Sequence, residues 1–169
     1  LGRGMVLEPL AHAFIASSVL SHGAPADVQA AWLPRIASGQ ALVVLAQQER
    51  KARYALEKCE AKAAPAQSGY TVTAIKSIVP AGDQADAFLV PAQLDGQIAL
   101  FLVERSASGV TTQGYGTQDG GRAAEVQFAN ASAALVTKDG LAALELAVDT
   151  GIAALCAEAV GVMDKALAL

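Results

Sequence analysis

The side chains best equipped for chemistry lie between residues 47 and 60. Gln47 and Gln48 carry adjacent amides that both donate and accept hydrogen bonds. Such a pair suits the polar edge of a ligand; exposed glutamines that merely close a strand end are the alternative. Arg50, Lys51 and Arg53 cluster beside Tyr54. Guanidinium forks pair in bidentate fashion with phosphates and carboxylates. The other reading is a solvated loop balanced by Glu49, Glu57 and Glu60, because charge runs are usually surface. Cys59 and Cys156 have no metal-ligand spacing and read as reduced thiols of a cytosolic protein, not as a bridge. His12 and His22 have nothing paired with them, so core or surface roles outweigh any ligand role. No metal site is expected.

Composition narrows the field. Of 169 residues, 53% are apolar and 17% charged, which excludes intrinsic disorder. The 38 alanines, against 5% aromatics, suit close-packed helices and thin layers. A net charge of −4 with scattered basic residues argues against nucleic acid as a partner. No uninterrupted apolar run approaches the ~20 residues of a membrane-spanning helix, so no membrane span is expected. No signal peptide is expected from Leu1-Gly2-Arg3-Gly4, which lacks a Lys/Arg region followed by a long apolar core. It begins without Met and inside an amphipathic pattern, as expected of a piece of a longer protein.

The elements that must position these side chains follow from periodicity. Leu7, Leu10, Ala11, Phe14, Ile15, Ser18 and Val19 share one face of a helix expected over 5–21, with Pro9 tolerable only near its first turn. His22-Gly23 stops it. A second helix over 25–38 opens at Pro25 and carries Val28, Ala31, Trp32 and Ile36 on its stripe. Leu42 to Ala46 is a short apolar run suited to a buried strand. Residues 50–68 are charged and Ala-rich, then turn-like at Pro65. From Gly69 to about Val136 every signal is strand. Tyr70, Val72 and Ala74 alternate with Thr71, Thr73 and Ile75; Asp95-Gly96 marks a hairpin between 87–92 and 98–103; 109–113 and 125–128 follow. The spacing of turns suits a small β-sandwich or barrel. Leu141, Leu144, Val148, Ile152, Leu155, Ala159, Val162 and Ala166 then define a long helix, with Asp139-Gly140 at its cap. Gly161 would let a neighbouring helix approach. The expected class is α+β: a central antiparallel β-domain of six or more strands flanked by helices.

The order helix, helix, β-domain, long helix resembles the acyl-CoA dehydrogenase family over essentially the whole chain. Gly2-Arg3-Gly4 leading to Leu7-Glu8-Pro9 resembles the entry to a late helix of its amino-terminal domain. Trp32-Leu33-Pro34 with Ile36-Ala37-Ser38-Gly39 is similar to "W-L-P-x-I-A-x-G". Gly69-Tyr70 with Lys76 is similar to "G-Y-x-L-x-G-x-K", and Asp83 to Val90 to "A-D-x-x-x-V". Phe101-Leu102-Val103 with Gly109-Val110 is similar to "F-L-V … G-V", and Ala157-Glu158-Ala159-Val160-Gly161 to "A-E-A-x-G". Two stretches resemble the pimeloyl-CoA dehydrogenase small-subunit branch. They are Gln47-Gln48-Glu49-Arg50 with Arg53-Tyr54, and Gly114 to Asp119 with Gly120, Arg122, Ala123, Ala124, Glu125 and Val126.

The resemblance implies the end of a helical domain at 1–39, a central β-domain at 40–136, and the first helix of a truncated bundle at 137–169. It implies FAD, an acyl-CoA substrate with a dicarboxylyl-CoA such as pimeloyl-CoA possible, α,β-desaturation, and electron-transfer flavoprotein as acceptor. It also implies a homo- or hetero-oligomer, typically a tetramer, and a cytoplasmic location. Gln47 and Gln48 then fall at the flavin's pyrimidine edge, and Ser77, Ile78 and Pro80 at its central ring. Arg53 and Tyr54 fall near the substrate. The family's "T-E-P-x-A-G-S-D" loop is absent, and "K-x-W-I-T" becomes Lys76-Ser77-Ile78-Val79-Pro80, where Pro80 offers neither hydroxyl nor N–H. The implied catalytic base lies later in the bundle or, in a minority, near Gly151, which has no carboxylate. No catalytic residue is named. The alternative is a second class of function: a flavin-poor, non-catalytic partner subunit completing a heteromeric dehydrogenase, which the changes at Ile78 and Pro80 favour while the overall layout favours the enzyme. The piece by itself is expected to be inactive.

Overall fold

A computed structural model describes residues 2–4, 6–52 and 54–168. After a 3-10 turn at Gly2–Gly4 come α1 (Leu10–Gly23), α2 (Ala26–Ala37), β1 (Val43–Leu45), β2 (Lys62–Pro65) and β3 (Tyr70–Pro80). There follow β4 (Ala87–Leu94), β5 (Gln97–Glu104), β6 (Val110–Gly116), β7 (Arg122–Thr137) and α3 (Gly140–Leu167). The class is α+β.

The strands close on themselves. β4 pairs with β5, β5 with β7, β7 with β3, β3 with β2, and β2 returns to β4 through Lys62 and Gln93. This ring is a barrel, leaving only the short pendant strands β1 and β6 with an open edge. β7 is 16 residues long and serves two neighbours on one side, β6 through residues 122–128 and β5 through 134–137. β1 extends the ring beside β4, in parallel, with Val43 opposite Ala87. At the β4–β5 hairpin both Asp95 and Gly96 have positive φ, 51° and 82°, as the type I′ turn requires.

Alternation along the strands builds two cores. Val72, Phe88, Val90, Phe101, Val103, Val126 and Phe128 fill the barrel. The opposite faces of β1, β4 and β5 present Val43, Leu89, Leu100 and Leu102 to the helices, where Ala16, Val19 and Leu20 of α1 and Trp32 and Ile36 of α2 pack. Both faces of β4 are therefore covered, which is why its residues 87–92 form an unbroken apolar run.

Several elements depart from the sequence reading. The helix expected from residue 5 starts at Leu10, with Pro9 as its cap residue, because Pro cannot continue the hydrogen-bond ladder inward. Its buried face is Ala16, Val19 and Leu20; Leu10 and Phe14 are exposed, so the helix is apolar on two sides. Within 50–68 a strand was missed: β2 pairs with β3 despite ending on Pro65, which is tolerated at a strand terminus.

α3 is capped by Asp139, whose carboxylate accepts from the Ala142 N–H at 3.3 Å. Only its first half packs deeply, through Leu144 and Ala147; Ile152, Leu155, Val160 and Met163 are exposed. Gly161 lies against the backbone of Gly2 and Arg3, not against another helix. Among the described residues, α3 is long and apolar enough to cross a membrane by length and composition. Its run is broken by Glu145, Asp149, Glu158 and Asp164, and Asp164 pairs with Arg3 at 3.3 Å.

Candidate functional site

The functional geometry is organised by a bulge in β3. Lys76 pairs with Val126 and Val79 with Ala124, so Ser77 and Ile78 together oppose the single residue Glu125 of β7. The extra residue forces Ile78 to φ 51°, a left-handed backbone that β-branched residues avoid. The bulge breaks the alternation of β3. Ser77 is buried, and the half-exposed Ile78 side chain is thrown to the other side.

Two clefts flank this bulge. One, of about 630 Å³, is lined by Ile78, Pro80, the turn around Asp119 and Gly120, Leu7 before α1, and Leu155 and Glu158 of α3. Its lining mixes these apolar side chains with the polar His12, Gln84, Thr117, Asp119 and Arg122. The turn is self-braced: the Gly121 N–H donates to Asp119 Oδ1 at 3.1 Å, and Gly120 to Thr117 O at 3.0 Å. The second cleft, of about 400 Å³, holds Ser77 with Glu49, Arg50, Lys51 and Glu60.

Of the residues singled out by sequence, Gln48 and Ser77 are brought together, since the Ser77 N–H donates to Gln48 O at 2.8 Å. Gln47 and Gln48 are half-buried just beyond β1 and line neither cleft. Ile78 and Pro80 share the larger cleft; Ser77 faces the smaller one. Tyr54 is 91% exposed and lines neither cleft. Arg53 lies outside the described residues. Gly151 packs α3 on α1: a Cβ there would sit 3.3 Å from Ile15 Cδ1. Cys59 and Cys156 are free thiols. Among the described residues no group of three or more metal-ligating side chains occurs.

The sequence reading missed two carboxylates at the site. Glu49, expected as a loop counter-charge, is buried. It accepts from Lys76 Nζ at 2.6 Å and from the Glu60 and Ala61 N–H groups at 2.7 and 3.2 Å. Lys76 also donates to Pro91 O at 3.0 Å. Burial pushes the Glu49 carboxyl up, but the Lys76 ammonium and the two amides outweigh it and hold it below the usual range. The signal was the phase of β3: Lys76 follows Val72 and Ala74 on the inward side. Glu125 is the second carboxylate. It accepts from Ser77 Oγ at 2.8 Å, the Ile78 N–H at 3.2 Å and Tyr115 OH at 3.4 Å, and pairs with Arg50 at 3.5 Å. Burial raises its carboxyl, yet these donors hold it below the ordinary value.

Both depressed carboxylates favour the folded state while ionised. Their contribution is therefore complete above the ordinary glutamate value of 4.5 and declines as pH falls through their lowered folded-state values. Urea midpoints measured from pH 7 to pH 3 should fall on the acid side, and Glu125→Gln should make that fall shallower. A slope unchanged by Glu125→Gln would show that Glu125 contributes nothing.

No protein-family model and no curated protein sequence matches the chain. Solved structures do. The Tcur3481-Tcur3483 steroid ACAD variant matches with TM-score 0.86 and 25% identity, over 98% of this chain and 45% of that one. The ChsE4-ChsE5 complex from Mycobacterium tuberculosis matches with TM-score 0.75 and 26% identity, over 86% of this chain and 40% of that one. A glutaryl-CoA dehydrogenase from Mycobacterium smegmatis in complex with FADH2 matches with TM-score 0.75 and 21% identity, over 80% of this chain and 37% of that one. The chain has the acyl-CoA dehydrogenase fold and spans less than half the length of these structures.

Proposed function

We propose that this chain is the flavin-facing part of an FAD-dependent acyl-CoA dehydrogenase. In this reading 1–39 ends a helical domain, 40–136 is the β-domain, and 137–169 opens a helical bundle. The substrate is an acyl-CoA, with a dicarboxylyl-CoA such as pimeloyl-CoA as the finer proposal. Electron-transfer flavoprotein is the acceptor, and the assembly is an oligomer in the cytoplasm. The observation that carries the reading is the fold match over 98% of the chain, together with a cleft of about 630 Å³ between the β3 bulge, α1 and α3. An apolar wall suits the face of a flavin ring. Ile78 and Pro80 give the cleft that wall, and the Ser77 N–H, one residue before Ile78, donates to the Gln48 backbone carbonyl. Gln47, Gln48, Ser77, Ile78 and Pro80 are the residues that would hold it. The chemistry FAD supplies is hydride acceptance during desaturation of adjacent carbons. No residue described here is assigned as the base.

A flavin-poor partner subunit is the competing reading, favoured by the missing hydroxyl at Ile78 and Pro80 and by Gly151. The intact protein purified alone separates the two. Yellow absorbance of oxidised flavin supports the first reading, and a colourless protein that restores activity only with a second subunit supports the other.

Gln48→Ala removes one edge hydrogen bond, worth about 0.5–1.5 kcal/mol, so FAD affinity should fall up to roughly tenfold in a fluorescence titration. Pro80→Thr should leave affinity unchanged or raise it. Affinity untouched by Gln48→Ala but abolished by Arg53→Ala would move the cofactor contact to the basic loop.

A further inference from the structure

We propose that Glu125 is a positioning residue that holds the β3 bulge in the shape the flavin cleft needs. The proposal rests on the flavin reading above and adds a residue and a means to it. A bulge leaves its extra residue without a ladder partner. Here the ladder is broken between Lys76 and Val79, and Glu125 is the residue opposite the break. Its carboxylate takes the place of the missing partner. One oxygen accepts from the Ile78 N–H at 3.2 Å, the other from Ser77 Oγ at 2.8 Å.

Those two bonds reach the two residues whose side chains part company, Ser77 toward the smaller cleft and Ile78 toward the larger. Strained backbone of this kind persists only where the surroundings over-determine it, and it gathers at ligand clamps. Ile78 has φ 51°, and three further groups fix the carboxylate that fixes it. These are Ser77 Oγ, Tyr115 OH at 3.4 Å from β6, and Arg50 at 3.5 Å from the loop after β1. The loop is tied to the same point from the other side, since the Ser77 N–H donates to Gln48 O at 2.8 Å. Glu125 thereby couples the strand that walls the larger cleft to the segment carrying Gln47 and Gln48. Without it, Ile78 is free to relax to an ordinary extended backbone, and its side chain leaves the cleft wall.

The test uses the intact protein with FAD as the probe. Glu125→Ala and Glu125→Thr both delete the four contacts, and threonine keeps a side chain suited to a strand. Glu125→Gln retains a carbonyl acceptor for Ile78. Fluorescence titration should show FAD binding about tenfold weaker in the Ala and Thr variants and within about threefold of the parent in the Gln variant. The visible band of bound flavin should shift or broaden in Ala and Thr and recover in Gln. Equal affinity and an identical flavin band in parent, Glu125→Ala and Glu125→Thr would overturn the role of Glu125 while leaving the flavin reading intact. A parent that takes up no FAD would overturn both.

Discussion

Replacing Lys76 by alanine is expected to destabilise the protein by about 3–5 kcal/mol, the usual consequence of leaving one member of a buried ion pair alone. The Lys76 side chain is fully buried and that of Glu49 is 7% exposed, so water cannot take the place of the lost partner. Glu49 would keep only the Glu60 and Ala61 N–H groups and the weak Cys59 Sγ–H donor. At about 2–4 °C of melting temperature per kcal/mol for a chain of this size, the transition should move down by about 6–20 °C. Replacing both residues at once, Lys76→Met with Glu49→Leu, removes the desolvated charges together and should recover most of that loss. A calorimetric scan of the single and double variants checks both expectations. A single variant that melts within a degree of the parent would mean that the pair is not closed to solvent.

The second large effect is expected at the centre of the barrel. Phe88 is fully buried, and its ring meets Phe128 edge-on at 5.6 Å between centroids. Phe101 completes the filling from β5 and stacks obliquely on Tyr70 at 5.3 Å. A ring of five strands cannot collapse onto the space a deleted side chain leaves, because its diameter is set by strand number and stagger. Phe88→Ala should therefore cost about 3–5 kcal/mol. Denaturant unfolding should show a lower midpoint at an unchanged slope. A loss below about 1 kcal/mol would indicate that the barrel wall does move inward.

Both expectations concern groups whose legibility in the sequence differed. Phe88 sits in a short apolar run beside the Asp95-Gly96 turn, and that combination announced a strand. Lys76 lies on the inward side of an alternating strand, but no local rule names a partner for it. Its partner Glu49 is 27 residues away in a segment whose composition reads as solvated loop. The helices, the hairpin at Asp95-Gly96 and most strands were legible because each is written in residues close together. β2 was not, because four residues ending in Pro65 carry little local signal, and pairing with β3 and β4 decides their state. The site was legible only in part. Ile78 and Pro80 do line a cleft together. The bulge that aims Ile78 comes from a register shift between β3 and β7, and register is a property of two strands at once. Glu125 had no visible task until that register was known.

The two-sided burial of β4 and β5 has a bearing on synthesis. Val19 and Leu20 of α1 share their core with Leu89, Leu100, Leu102 and Val136, residues drawn from strands far later in the chain. At about 5–20 residues per second, some 6–25 s separate the emergence of α1 from that of Val136. During that interval the nascent helix lacks the strand residues that complete its core, with Trp32 and Ile36 of α2 as its early partners. β1 waits similarly for the parallel partner that begins at Ala87. The growing polypeptide is thus a natural client for chaperones that shield exposed apolar segments at the ribosome exit, and its most vulnerable moment precedes completion of β7.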